Sequence, residues 1–94
     1  MARTEYTFAA RYARGWNEYT KPVTFRSSAT TRAGIIRAAA KAGARATYTD
    51  VWEIPDARIT ADNGDTLVLN SGEQYDLWSI ARDFVFDLAY GYAK

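Results

Sequence analysis

The chain reads as a single α+β domain over residues 1–94, in the order ββαβββα, with a mainly antiparallel sheet and two helices packed on one face. Three stretches point there. Thr4 to Arg14 alternates, with Tyr6, Phe8, Ala10 and Tyr12 on one side and Glu5, Thr7, Ala9 and Arg11 on the other, the period of a half-buried strand. Asn63-Gly64 falls between two runs of strand-forming residues, a strong short-range hairpin signal. Ser71 to Tyr92 repeats apolar residues at helical spacing.

In chain order, Gly15 ends the first strand, Trp16 to Thr20 reads as a loop, and Lys21 to Arg26 reads as a second strand with Val23 and Phe25 inward. Pro22 cannot donate to a ladder, which restricts that strand to a sheet edge or Pro22 to its first residues. The two strands are expected to pair as an antiparallel hairpin. Ser27 to Thr31 offers several N-caps for a helix reaching about Ala42 and stopping at Gly43, the residue that best tolerates the left-handed position after a helix. Its inner face is Ile35, Ile36, Ala39 and Ala42; Arg37 and Lys41 point outward, with Arg32 on a flank.

Arg45 to Ile54, rich in Thr, Tyr, Val and Trp, reads as a third strand closed by Pro55. Ala57 to Ala61 and Thr66 to Leu69 then form a hairpin, in which Asn63 and Gly64 as a two-residue loop set Ile59 opposite Val68 and Thr60 opposite Leu67. The last helix opens on a capping box, Ser71 with Gln74, and carries Glu73 in its first turn. Leu77, Trp78, Ala81, Phe84, Val85, Leu88 and Ala89 form its core face, with Tyr92 continuing it if the last turn passes Gly91.

Composition limits function. With 94 residues, 48% hydrophobic and 24% charged, the chain is long enough to bury a core and too apolar for wholesale disorder. It has no cysteine and no histidine, so disulfides, thiolate chemistry, the commonest general base and the commonest zinc ligand are all missing. No run of about 18 apolar residues exists, and the first residues lack the apolar centre of a signal peptide, so the expectation is a cytoplasmic protein without a membrane span. Charge is uneven along the chain: residues 1–49 hold nine Lys/Arg against two Glu, net +7, and residues 50–94 hold three Lys/Arg against nine Asp/Glu, net −6. Either the halves interleave and neutralise each other, or they mark a partner surface.

No GxGxxG, Walker A, HExxH or nucleophile-elbow motif occurs. Asp62-Asn63-Gly64-Asp65 lacks the twelve-residue ligand pattern of a calcium loop and reads as a turn. Asp83 and Asp87, four apart on a helix, are close enough for paired-carboxylate chemistry, but beside Asp76 they read as a solvated face. The expectation is therefore no enzyme, no catalytic residue, no metal and no cofactor.

Two surfaces remain for recognition. Tyr75, Ser79, Arg82, Phe86 and Tyr90 line a second stripe on the last helix, bordered by Asp76, Asp83 and Asp87. Neighbouring elements cover it, or another chain does. Arg11, Arg14, Trp16, Tyr19, Lys21 and Arg26, with Arg37 and Lys41 on the first helix, interleave cations and aromatics in the manner of single-strand nucleic-acid or nucleotide binders. The leading functional expectation is a non-enzymatic module that occupies or inhibits a macromolecular partner, with Trp16, Tyr19, Tyr75, Arg82, Asp83, Phe86, Asp87 and Tyr90 in contact. A protein partner, a homodimer and nucleic acid are the three occupants to weigh. Small motif-free α+β domains with polarised charge are common among phage proteins that modulate a host component, an association that carries no physical warrant of its own.

Overall fold

The computed structural model describes residues 3–14, 17–47, 51–53 and 57–91, with backbone alone for 13, 14, 17, 18, 47 and 51–53. The architecture is α+β in the expected order: β1 (Thr4–Arg14), β2 (Asn17–Ser27), α1 (Arg32–Thr47), β3 (Val51–Glu53), β4 (Arg58–Ala61), β5 (Thr66–Val68) and α2 (Ser71–Ala89). The strands form one antiparallel sheet ordered β2-β1-β4-β5, with β3 also paired to β1.

β1 is the centre of this sheet. One edge pairs along its whole length with β2, from Thr4 opposite Ser27 to Arg14 opposite Asn17. The segment expected as a loop therefore belongs to β2 from Asn17 onward, because Tyr12 and Tyr19 are cross-strand neighbours with ring centroids 5.8 Å apart, a pairing that stabilises a ladder. Pro22 sits in the middle of β2 opposite Ala9 and is tolerated because β2 is an edge strand. The other edge of β1 is shared: Tyr6 and Thr7 pair with β4, Arg11 and Tyr12 with β3. β3 and β4 thus line the same edge of β1, with Glu53 opposite Arg11 and Thr60 opposite Thr7. Ala57, just before β4, takes φ 53°, a left-handed position, and its carbonyl accepts from Leu69 N at 2.8 Å.

The second hairpin is present with a different register. Ile59 faces Leu67 and Arg58 faces Val68, because the loop has three residues, Asp62, Asn63 and Gly64. Ala61 N donates to Asp65 O at 2.8 Å, Gly64 N donates to Ala61 O at 3.0 Å, and Gly64 takes φ 95°. A turn followed by a left-handed glycine is the usual three-residue solution, and Asn63 Oδ1 holds it by accepting from Asp65 N at 2.9 Å. One residue of register decides which side chain faces inward. Leu67 packs against the core and Val68 is left 55% exposed.

α1 starts where Thr31 Oγ1 accepts from Gly34 N at 3.1 Å, and it runs on through Gly43 to Thr47. The strand expected from Arg45 is thus reduced to Val51–Glu53, with Ile54 and Pro55 outside the described residues. Glycine inside a helix costs about 1 kcal/mol relative to alanine, but Gly43 and Ala44 are both buried, and packing of this last turn outweighs that cost. Lys21 Nζ donates to Ala46 O at 2.9 Å, satisfying a carbonyl near the helix end. The inner face centres on Ile36, Ala39, Ala40 and Ala44, with Ile35 and Ala42 half-buried, because α1 leans on α2 as well as on β2.

α2 is capped by Asn70 and Glu73, one residue before the expected Ser71 and Gln74. Asn70 Oδ1 accepts from Glu73 N at 2.8 Å, and Glu73 Oε1 accepts from Asn70 N at 3.1 Å. Glu73 also receives Arg32 through two bonds of 2.6 and 3.0 Å, while Arg32 Nη2 donates to Val68 O at 2.7 Å. This links the starts of both helices. Further along, Lys41 Nζ and the Arg45 guanidinium lie 5.6 and 5.0 Å from the Phe84 ring centroid, so α1 and α2 run side by side in the same direction. β5 is too short to carry the chain to the far end of the sheet before α2 begins.

Both helices cover one sheet face. Tyr6, Phe8, Ala10, Val23, Ile59 and Ala61 from the sheet meet Ile36, Ala39, Ala40, Ala44, Leu77 and Ala81 in one core. On α2, Ile80, Phe84 and Val85 flank that core, whereas Leu88 is half-buried and Ala89 exposed, so the expected core face is centred too far toward the C-terminus. Tyr92 lies outside the described residues. The opposite sheet face is polar: Thr24, Thr7, Thr60 and Thr66 form a row across four strands, with the Thr7 and Thr24 hydroxyls 3.2 Å apart, and Arg26 meets Glu5 at 3.4 Å. A solvated second face is normal for antiparallel sheets.

Leu77→Ala empties a fully buried site and is expected to cost about 2–5 kcal/mol by denaturant unfolding, against clearly less for half-buried Leu88→Ala. The Glu73 carboxyl is held below its ordinary value by the Arg32 hydrogen bonds first and the Asn70 N–H second. A lowered folded-state pKa stabilises the fold above the unfolded glutamate value of about 4.3 and loses that contribution as pH falls through the folded value. Melting temperatures of the wild type and Glu73→Gln should therefore differ at neutral pH and converge in acid; a gap that persists below about pH 3 contradicts the assignment.

Candidate functional site

At 100° per residue, Phe86 lies nine residues and about 180° from Leu77, so it points directly away from the core. Tyr75 and Tyr90 share that outer side. Their exposures are 63% for Tyr75, 56% for Phe86 and 64% for Tyr90, so among the described residues no neighbouring element covers these three rings, while Ser79 between them is half-buried. α2 is apolar on both sides, and only its inner side serves the core.

The stripe is ordered by its own contacts. The Phe86 and Tyr90 rings lie 4.5 Å apart, one helical turn from each other. Tyr75 meets Trp78 at 5.6 Å, and the Arg82 guanidinium lies 4.7 Å over the Trp78 ring. Trp78, expected in the core, is half-buried on the border between inner and outer faces. Its spacing of three from Tyr75 and four from Arg82 is the signal that places it there. Arg82 also reaches Asp83 at 3.3 Å, in a pair with both side chains largely in water. Asp83 and Asp76 are exposed and Asp87 half-buried, so one flank of the stripe is acidic. Beyond Tyr90 the helix ends: Gly91 takes φ 75° and donates to Leu88 O at 3.3 Å, the left-handed stop glycine favours.

Among the described residues, the basic and aromatic side chains of the hairpin do not come together as one patch. Alternation along the ladder puts Arg11 and Arg26 on the open sheet face and Tyr19 and Lys21 on the helix side. Lys21 is bonded to the end of α1, Arg26 is paired with Glu5, and Lys41 lies over Phe84. Arg37 is exposed on α1, and Tyr19 is 44% exposed beside Tyr12. Trp16 and the Arg14 side chain lie outside the described residues.

A shallow cavity of about 190 Å³ lies between the β4–β5 hairpin and α1, lined by Tyr6, Ile35, Ile59, Leu67, Asn63 and Asp65 among others. It is smaller than the roughly 300 Å³ at which small-molecule sites begin. Among the described residues, no group of three His, Cys, Asp or Glu is placed to hold a metal, and no helix is long and apolar enough to cross a membrane.

The geometry separates folding from surface. Phe86→Ala is expected to change unfolding free energy by less than about 1 kcal/mol, since it removes an exposed ring; a loss as large as that of Leu77→Ala means the ring belongs to the core. Comparison with protein-family models, curated proteins and solved structures finds no match for this chain.

Proposed function

We propose that this protein is a non-enzymatic binding module that occupies a protein partner through the outer face of α2, in a cytoplasmic setting. One observation carries the reading: three aromatic side chains, Tyr75, Phe86 and Tyr90, stand more than half exposed on the side of α2 opposite the core. Exposed aromatic surface, here the adjoining Phe86 and Tyr90 rings with Tyr75 further along the same side, is what binding surfaces use. Arg82 adds a guanidinium stacked on Trp78, and Asp83 and Asp87 supply a charged border that sets orientation. The absence of His and Cys from the chain leaves few groups for catalysis. Modulation of a host component by a phage-encoded protein is one setting in which such a module works.

Nucleic-acid binding by the hairpin is the weaker reading, because its cations fall on two faces and Lys21 and Arg26 are engaged within the fold. Capture from a host lysate, with and without nuclease, tests the choice. The expected result is a protein that survives nuclease and is lost with Phe86→Ala or Tyr90→Ala, each truncation weakening binding by more than about 2 kcal/mol. Capture of nucleic acid alone, falling steeply with salt and reduced by Arg11→Ala, overturns it.

A further inference from the structure

We infer that the outer edge of β5 is a second contact surface, which takes an extended segment of a protein partner as an added strand. It is separate from the outer face of α2 and does not rest on that reading. Hydrogen-bond direction within the sheet singles this edge out. Leu69 N donates to Ala57 O and Ala61 N donates to Asp65 O, so Asp65, Leu67 and Leu69 turn their backbone groups toward β4. By alternation, Thr66 and Val68 turn theirs outward. Both residues are exposed, and β5 ends the sheet among the described strands. Arg32 Nη2 already donates to Val68 O at 2.7 Å. That leaves the Thr66 N–H and C=O and the Val68 N–H at the spacing a ladder uses.

The opposite edge of the sheet is closed to such pairing. Asp62 N donates to Glu5 O, so odd-numbered residues of β1 turn their backbone groups toward β4. Ala9 is one of them, and Pro22, opposite it on β2, therefore points its nitrogen outward, where an added strand needs an N–H. A proline at that place interrupts strand addition, and β5 has none.

The surroundings of the edge define the segment. Leu67 and Asp65 both line the cavity of about 190 Å³, together with Tyr6, Ile35 and Ile59. A cavity of about 150 Å³ accepts a benzene-sized ring, so this one has room for one apolar side chain. In an added strand, the residue opposite Leu67 stands beside the cavity, and the residue two positions along stands opposite Asp65 on the same face. Asp65 is exposed and joins no ion pair among the described residues, and exposed Asp62 lies in the same turn. Opposite charges across a strand pair are favourable, so the segment carries an apolar and a basic residue at alternate positions. A second copy pairing antiparallel through its own β5 sets Leu67 or Leu69 opposite Asp65 and supplies no cation there. The charge therefore selects a segment of another chain.

Selection of short random peptides on the immobilised protein tests the inference. The expected result is enrichment of sequences with an apolar and a basic residue two positions apart. A selected peptide should slow amide hydrogen exchange at Thr66 and Val68, read by NMR, and should lose roughly tenfold or more in affinity when its backbone nitrogens are methylated. Asp65→Lys, a change at an exposed position, should weaken the same peptide by roughly tenfold, and exchanging the basic residue of the peptide for Glu should restore binding to that variant. Phe86→Ala should leave the peptide affinity unchanged. A library without enrichment, a methylated peptide that binds equally well, or unaltered exchange at Thr66 and Val68 overturns the inference. A wild type that dimerises by itself and protects those two amides gives the edge to a second copy instead, and a peptide lost with Phe86→Ala binds the α2 face; either result also overturns it.

Discussion

β1 has to satisfy hydrogen bonds along both edges and bury one face, and the other elements are placed by those two demands. Its first edge takes β2 in full; its second is filled in two pieces, β4 beside Tyr6 and Thr7 and β3 beside Arg11 and Tyr12. On its buried face, Tyr6 stacks on Phe25 at 5.3 Å and Phe8 meets the same ring edge-on at 6.0 Å. Without this strand the two hairpins share no sheet and the helices have nothing to cover.

The helices answer the second demand with small side chains. Ala39, Ala40 and Ala44 of α1 are fully buried, and so are Leu77 and Ala81 of α2. Close approach of this kind lets two helices fill one sheet face with Leu77 as the large α2 side chain at the centre of the contact. Its aromatic residues stand at the edges of the contact, as with Phe84 beneath Lys41 and Arg45, and on the outer side, as with Phe86 and Tyr90.

The helix starts also show where the opposite charges of the two halves meet. Arg32 sits in the first turn of α1, where the helix dipole disfavours a cation. Glu73, in the first turn of α2, receives it in a two-bond fork while completing its own cap. Part of the basic and acidic asymmetry is therefore neutralised inside the fold. Arg37 on α1 and Asp76 and Asp83 on α2 remain on the surface, with Asp83 beside Arg82 at 3.3 Å.

The order of elements, the extent of β1, the presence of a turn at Asn63-Gly64 and the second stripe on α2 were all legible in the sequence, because each is a local periodicity or a local backbone preference. Boundaries and registers were not. Whether α1 stops at Gly43 depends on burial of Ala44 against other elements, and whether Ile59 faces Val68 or Leu67 depends on one loop residue whose competing turns have similar local signatures. Two overlapping cap patterns, Asn70 with Glu73 and Ser71 with Gln74, differ little by themselves; Arg32, distant in sequence, adds its bonds to the first. That Tyr75, Phe86 and Tyr90 are exposed, and that the hairpin cations divide between two faces, was decided only by tertiary structure. Periodicity places residues on a common side of one element, but exposure depends on what the other elements leave uncovered.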